Sequence, residues 1–371
     1  MISTILIFTA VLSLLVFVHE FGHFITAKKS GVRVDEFGFG FPPRIAGIKK
    51  GETIYSINWI PLGGFVKIKG ESGEQSRDKD SFANKSALTR GLILTAGVIM
   101  NVVLAWFLLS IGYVIGMPQV IEDLSAQARV TDPKIQIVQV LKGSPADKAG
   151  FETGDAVVAL GGMAIASPDD IRAFTETREG VPISVTLRRK DETIEKEVTP
   201  AIIKETGKPG MGVALVKTGF VSYPLWLAPV QGAVATWAFS KEILGAFFGL
   251  IRDLFVQQKV SVEFSGPVGI AILTSEVAKL GIRYLLQFTA LLSLNLAIIN
   301  ILPFPALDGG RLLFLVVEQF RGKAMSRRIE AAAHNIGFAL LMVLVIFVTF
   351  RDVAKFGDRI WEGLSRFFTG A

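Results

Sequence analysis

Cysteine is absent from the 371-residue chain, histidine occurs three times, and charged side chains make up only 19% of it. The first absence excludes thiolate catalysis, Cys-ligated zinc, a disulfide scaffold and a thiol switch. Any metal must therefore sit on His, Asp or Glu. The shortage of charge is matched by 50% hydrophobic residues, an excess over an ordinary soluble domain of this size. Uncharged stretches run over 1–18, 91–121, 218–240, 284–307 and 331–350, and roughly 18–20 apolar residues suffice to cross a hydrocarbon core about 30 Å thick. The composition is that of a membrane protein, with the lipid bilayer as its surroundings. Although 39 basic residues face 33 acidic ones, a formal charge of +6, they form no long basic run, so no nucleic-acid partner is expected.

Charge placement orients the spans. Residues 28–90 hold 12 basic and 7 acidic side chains, whereas 118–217 hold 13 and 15, and surplus Lys and Arg beside short spans marks the cytoplasmic side. The first loop is thus inside. No basic residue precedes the apolar centre of residues 1–24, and no small-residue cleavage site follows before Lys28, a pattern of a retained span rather than a removed signal peptide. Residues 91–117 return the chain outward and present 118–217 there as a compact domain of about 100 residues. In it, Ile135 to Leu141 and Val181 to Arg189 alternate like strands, with a charged turn at Lys190-Asp191-Glu192. Ser167-Pro168-Asp169-Asp170 reads as a helix start, with a capping hydroxyl, a proline at the first helical position and an acid three residues after the cap.

Residues 218–240 are uncharged but contain Pro224 and Pro229 and run directly into Lys241-Glu242. Loop 318–330 sets Arg321, Lys323, Arg327 and Arg328 against Glu318 and Glu330, which places it inside. A chain outside at 217 and inside at 318 crosses an odd number of times, and 284–302 supplies one crossing. Residues 218–280 are then expected to lie at the outer surface, or to dip in and return. The expected fold is a polytopic α-helical membrane protein with four transmembrane helices. Residues 1–117 carry the first two, 118–217 an inserted α/β domain, 218–280 a membrane-surface amphipathic region, and 281–371 the last two.

Two of the three histidines fall in His19-Glu20-Phe21-Gly22-His23, the HExxH pattern. Residues i and i+4 share a helix face, so both imidazoles can reach one Zn²⁺ while Glu20 addresses the water beside it. The bland alternative is a set of interfacial polar residues that snorkel to water at the end of a span. The third ligand cannot be Cys, and Thr26 and Lys29 stand where the extended metzincin pattern has its Gly and third His. A distant carboxylate is required. Asp308 is the downstream acid set in apolar sequence, Asn300-Ile301-Leu302-Pro303-Phe304-Pro305-Ala306-Leu307-Asp308-Gly309-Gly310, where prolines break the helix and glycines allow close backbone approach. Alone it reads better as a turn residue before Gly-Gly. The expected topology, however, brings His23 and Asp308 to the same side of the membrane. His334, at the start of a span, reads as an interfacial or packed histidine rather than a ligand.

Gly143-Ser144-Pro145-Ala146-Asp147-Lys148-Ala149-Gly150-Phe151, followed by Gly154-Asp155, resembles the signature stretch of bacterial PDZ domains, with Gly161-Gly162 where Asn-Gly or Asp-Gly is usual. HExxH in the first span, Leu-Asp-Gly in a later one and a PDZ domain between them resemble the site-2 protease family of intramembrane zinc metalloproteases, in its bacterial sigma-regulator branch. The resemblance extends over Gly38-Phe39-Gly40, Ile60 to Lys67, Ser265-Gly266-Pro267 and Asn295 to Gly310. It departs in having room for a single PDZ domain and in Val98, where an Ala-Gly-Pro element usually has its proline; Asn101 matches. The resemblance implies Zn²⁺ on His19, His23 and Asp308, Glu20 as the catalytic base, and Asn300 on the substrate backbone or oxyanion. It also implies a membrane re-entrant β-loop at Phe37 to Ile45, where Gly38 and Gly40 meet an unwound substrate by strand addition. The substrates so implied are single-span membrane proteins already cut by another protease, such as an anti-sigma factor or a signal-peptide remnant. The location implied is the bacterial inner membrane, with the active site near the cytoplasmic side and the PDZ domain extracytoplasmic. The rival from another class is a non-catalytic PDZ membrane scaffold. A transporter lacks its expected inverted repeat.

Overall fold

The apolar N-terminal residues form one helix, α1 (Ile2–Lys29), with Lys28 and Lys29 in its last turn, where cations favour the negative end of the helix dipole. It stops at Gly31, whose φ of +65° suits glycine, and the Val32 amide closes the cap on the Ala27 carbonyl. The computed structural model describes residues 2–71, 77–122, 124–189, 192–204, 206–256, 266–323 and 325–369. Lys190 and Asp191 of the expected turn, and Ser265 of the Ser265-Gly266-Pro267 motif, lie outside the described residues. The chain divides into two units, one of Met1–Ile111 with Pro229–Ala371 and one of Gly112–Ala228.

In the first unit, α1 is followed by the long strands β1 (Val34–Lys50) and β2 (Thr53–Ile68). Both fold back, so that four segments pair side by side in the order 46–50, 53–57, 36–39 and 64–67. Exposed Ile45, Ile48, Trp59 and Ile60 give the far end of this sheet an apolar surface. Helix α2 (Ala87–Ile115) crosses α1 at small residues: a Cβ on Gly22 would lie 2.4 Å from the Ala96 carbonyl oxygen. Such contacts let membrane helices approach to backbone distance.

The second unit is the expected mixed domain. Its elements are β3 (Met117–Val120), β4 (Arg129–Val140), α3 (Pro145–Lys148), β5 (Ala156–Leu160), β6 (Met163–Ala164), α4 (Pro168–Glu176), β7 (Ile183–Arg189), β8 (Glu192–Val198), β9 (Ala201–Ile203), β10 (Lys208–Gly210) and β11 (Val213–Ser222). The sheet runs β3-β11-β4-β5-β7-β8, with β6 on β5, and β9 and β10 form a separate pair. Alternate residues Ile135, Ile137, Val185 and Leu187 bury one face with Leu160, Ile171 and Phe151. Helix α4 begins at the expected cap: Asp170 N donates to Ser167 Oγ at 3.2 Å and Ser167 N donates to the Asp170 carboxylate at 2.9 Å.

The structure departs from expectation after this domain. Residues 228–256 form one continuous helix, α5 (Ala228–Val256). Pro224 precedes it and Pro229 sits in its first turn, where a missing amide forfeits no helical hydrogen bond. Among the described residues, five helices are long and apolar enough to cross a membrane: Ser3–Lys29, Ala87–Ile115, Ala228–Asp253, Ile282–Ile301 and Arg328–Gly357. Next come α6 (Pro267–Lys279), α7 (Ile282–Ile301), α8 (Asp308–Arg321) and α9 (Arg327–Thr369). Helix α6 lies against the first turn of α1, with Thr4 Oγ1 2.8 Å from Ser275 Oγ, and buried Asp352 of α9 accepts the Gly269 amide at 2.7 Å. Helix α7 thus sets out from the end of the unit where α1 begins.

Candidate metal centre

His19 and His23 stand one turn apart on α1, both buried, with their Nε2 atoms 3.2 Å apart. Asp308 Oδ2 lies 3.0 Å from His19 Nε2 and 3.2 Å from His23 Nε2. Among the described residues these three side chains form the group with metal-ligand spacing, their donor atoms all within 4.8 Å of one another.

The surroundings fix which nitrogens are free. His23 Nδ1 is 2.8 Å from the Ile93 carbonyl oxygen, which only accepts, so Nδ1 carries the proton and the Nε2 lone pair faces Asp308. His19 Nδ1 meets the side-chain amide of Asn101 at 3.3 Å. Asn101 Oδ1 is a buried acceptor in need of a donor, and an amide turned to accept from His19 Nδ1–H satisfies both groups. His19 Nε2 is then a lone-pair donor as well. Three such donors aimed at one point repel each other, and Asp308 Oδ2 is buried with no hydrogen-bond partner. A divalent cation answers both conditions. Two imidazoles and one carboxylate are a donor set that zinc accepts while keeping a fourth position open.

Small residues make this convergence possible. A Cβ on Gly97 of α2 would lie 2.4 Å from His23 Nε2 and 2.8 Å from His19 Nε2, so α2 passes flush against both rings. Asp308 opens α8 after the turn that ends α7. Cβ atoms on Gly309 and Gly310 would lie 2.2 Å from the Ile301 carbonyl oxygen and 2.3 Å from that of Phe304, so the turn closes only with glycine at both positions.

Beside the cluster is a cavity of about 310 Å³ walled by Glu20, Asp308, Arg311, His334 and Glu71. Val66 of β2 shares that wall with Glu20. Asn300, near the end of α7, brings its Nδ2 to 3.5 Å from His19 Nε2. Gly38 and Gly40 are placed otherwise than expected. Gly38 pairs with Phe65 on one side and Ser56 on the other, so neither backbone edge is open to an added strand. A Cβ there would lie 2.5 Å from the Phe65 ring, and one on Gly40, at φ +77°, would lie 2.7 Å from the Ile60 carbonyl oxygen. These glycines serve packing within the folded sheet; the segment beside α1 is 63–67, where Cβ atoms on Gly63 and Gly64 would touch Val16 and Phe17.

His334 is not one of the clustered donors. Its Nδ1 accepts from the Ala306 amide at 2.7 Å, and its Nε2 is 3.3 Å from Arg311 Nε. Arg311 also bonds Glu71. Arg311 and Glu71 had no motif to mark them, while Gly97 and Asn101 were marked only by the resemblance of the second span, which carried no statement of what they touch.

The sequence model of peptidase family M50 matches residues 7–344. A protein of Bacillus subtilis named regulator of sigma-W protease RasP is 29% identical over 95% of this chain and 99% of its own length. One of Geobacillus kaustophilus named zinc metalloprotease RasP is 31% identical over 96% of this chain and 99% of its own. Among solved structures, the PDZ domain of an SdrC-like protein from Listeria monocytogenes matches 24% of this chain and 92% of its own, at 20% identity and a TM-score of 0.22.

Proposed function

The chain belongs to peptidase family M50, and from that premise we propose that it is an intramembrane zinc metalloprotease that hydrolyses peptide bonds within or near the transmembrane segments of single-span membrane proteins. The observation that carries this reading is the convergence of His19, His23 and Asp308 beside Glu20 at the end of an apolar helix.

In this reading His19, His23 and Asp308 hold Zn²⁺, which when bound supplies Lewis-acid activation of water. Glu20 takes the proton of the attacking water on its carboxylate and delivers it to the nitrogen of the leaving amine. The cavity gives that carboxylate room beside the ligands. Asn300, with its amide next to His19 Nε2, donates to the oxygen that gains charge as the carbonyl is attacked. A helical substrate shields its peptide bonds with its own hydrogen bonds, so the bond to be cut must first unwind.

The spans in this proposal are α1, α2, α7 and α9, with the apolar end of the β1–β2 sheet dipping into the bilayer and α5 at the outer face. Two observations favour that count. Helix α6 adjoins the first turn of α1, and a fully crossing α5 leaves ten residues, 257–266, to return. Ten residues span about 33 Å only when fully extended, against a core of about 30 Å. Residues 118–217 are the PDZ domain, extracytoplasmic in a bacterial inner membrane, with the metal centre towards the cytoplasmic side. The substrates proposed are anti-sigma factors or signal-peptide remnants already shortened by another protease. A pure scaffold would have no use for Glu20.

Glu20→Gln keeps size and hydrogen bonding but removes the base. It is expected to abolish cleavage of a membrane-embedded reporter while zinc content stays at one ion per chain; full cleavage by this variant overturns the assignment.

A further inference from the structure

We propose that His334 is a positioning residue for Asp308: by accepting the Ala306 amide it holds the turn from which this ligand projects. This role presupposes that His19, His23 and Asp308 bind zinc, and it goes beyond that set of ligands.

Ala306 lies two residues before Asp308 and has φ +83°, a left-handed conformation that residues with a Cβ adopt rarely and keep only when their surroundings hold them. The holding contacts come from α9. His334 Nδ1 accepts the Ala306 N–H at 2.7 Å, and one turn on, a Cβ at Gly337 would lie 2.3 Å from the Pro305 carbonyl oxygen. The helix is thus seated directly on the turn. The α8 side packs against the imidazole: the Phe314 ring lies edge-on with centroids 6.3 Å apart, and Arg311 Nε lies 3.3 Å from Nε2, which carries the ring proton in this tautomer and so does not accept from it. Arg311 is three residues after Asp308, on the same face of α8, and is tied to Glu71 beyond β2. The ring of α9 is therefore packed against α8 and the turn before it, and its Nδ1 lone pair is spent on the backbone of the ligand turn. Only a neutral ring with Nδ1 unprotonated can do this. Groups that orient metal ligands from outside the coordination sphere change metal affinity when replaced, whereas a histidine that merely fills space does not do so through its acceptor atom.

The test uses the full chain in detergent micelles, with zinc affinity measured by competition against a chelator of known affinity and metal content read by mass spectrometry. His334→Leu removes the acceptor and is expected to weaken zinc binding about 10- to 100-fold. His334→Asn returns an acceptor oxygen close to the Nδ1 position and is expected to restore most of the loss. Zinc binding by His334→Leu as tight as the parent's overturns the role, and so does equal weakness of the Leu and Asn variants, since the acceptor would then be irrelevant. If His334→Leu does not fold, His334→Gln takes its place, because its oxygen reaches the Nε2 position instead. Asn binding more tightly than Gln supports the role, and Gln equal to Asn overturns it. A parent that holds no zinc, or an Asp308→Asn variant that binds as the parent does, fails the ligand assignment itself and is thereby distinguished.

Discussion

A methyl group at position 97 has nowhere to go: its carbon would sit 2.4 Å from His23 Nε2 and 2.7 Å from His19 Cε1. Neither imidazole can yield, because each is held on its far side by Ile93 or Asn101. Gly97→Ala should therefore push the rings out of register, at about 1–3 kcal/mol for overpacking, and lower zinc affinity by about tenfold or more; chelator competition measures it. A parent-like affinity would mean that α2 shifts away without cost. At this scale the clustered donors were legible in the sequence, since HExxH encodes its geometry in the helical period and Asp308 was the acid stranded in apolar sequence. The contacts of Gly97, Asn101 and Arg311 were not, because they depend on which helix lies against which. Gly38 and Gly40 show the converse: glycine announces that space is short but not whether a ligand or a neighbouring ring fills it.

Local elements followed local chemistry closely. The capping box at Ser167 and Asp170 starts α4 as its residues dictate, and the alternation at 135–141 and 183–189 gives β4 and β7. Next to them, Asp155 is buried, which pushes its carboxyl up. Two hydrogen bonds from Arg189, both 2.8 Å, and one from the Glu152 amide at 2.9 Å more than offset that and hold it below the usual carboxylate range. A depressed folded pKa contributes stability that is complete above the unfolded value of about 3.9 and is lost as pH falls through the folded value. Hydrogen-exchange protection of β5 and β7 in the full chain should accordingly drop below about pH 4. Asp155→Asn should remove that acid dependence and cost about 3 kcal/mol at neutral pH; protection that falls with acid just as steeply in the variant would refute it. The element whose continuity the sequence did not reveal was α5. Pro224 and Pro229 looked like interruptions, but proline interrupts a helix only in its interior, and the chain places both at the start.

For the molecule as a whole, the missing cysteine becomes a tool, since any one introduced cysteine reports its side of the membrane without background. Single cysteines at Lys279 and Lys323 should react with membrane-impermeant thiol reagents from the outer and inner faces respectively. Val256→Cys, at the end of α5, should label from outside if α5 lies at the surface; labelling from inside would make α5 a fifth crossing. Composition, charge placement and the HExxH spacing were enough, by themselves, to determine several apolar helices long enough to cross a membrane, an inserted domain and a His-His pair one helical turn apart, because apolar run length, Lys and Arg bias and helical periodicity are local quantities that a linear chain records directly. Tertiary structure alone decided the folding of β1 and β2 into a four-segment sheet, the seating of Gly97 on the imidazoles and of His334 beneath the Asp308 turn. Those depend on contacts between residues far apart in the chain, and a side chain's partner at that range, as between His19 and Asn300, is set by packing, which no local pattern encodes.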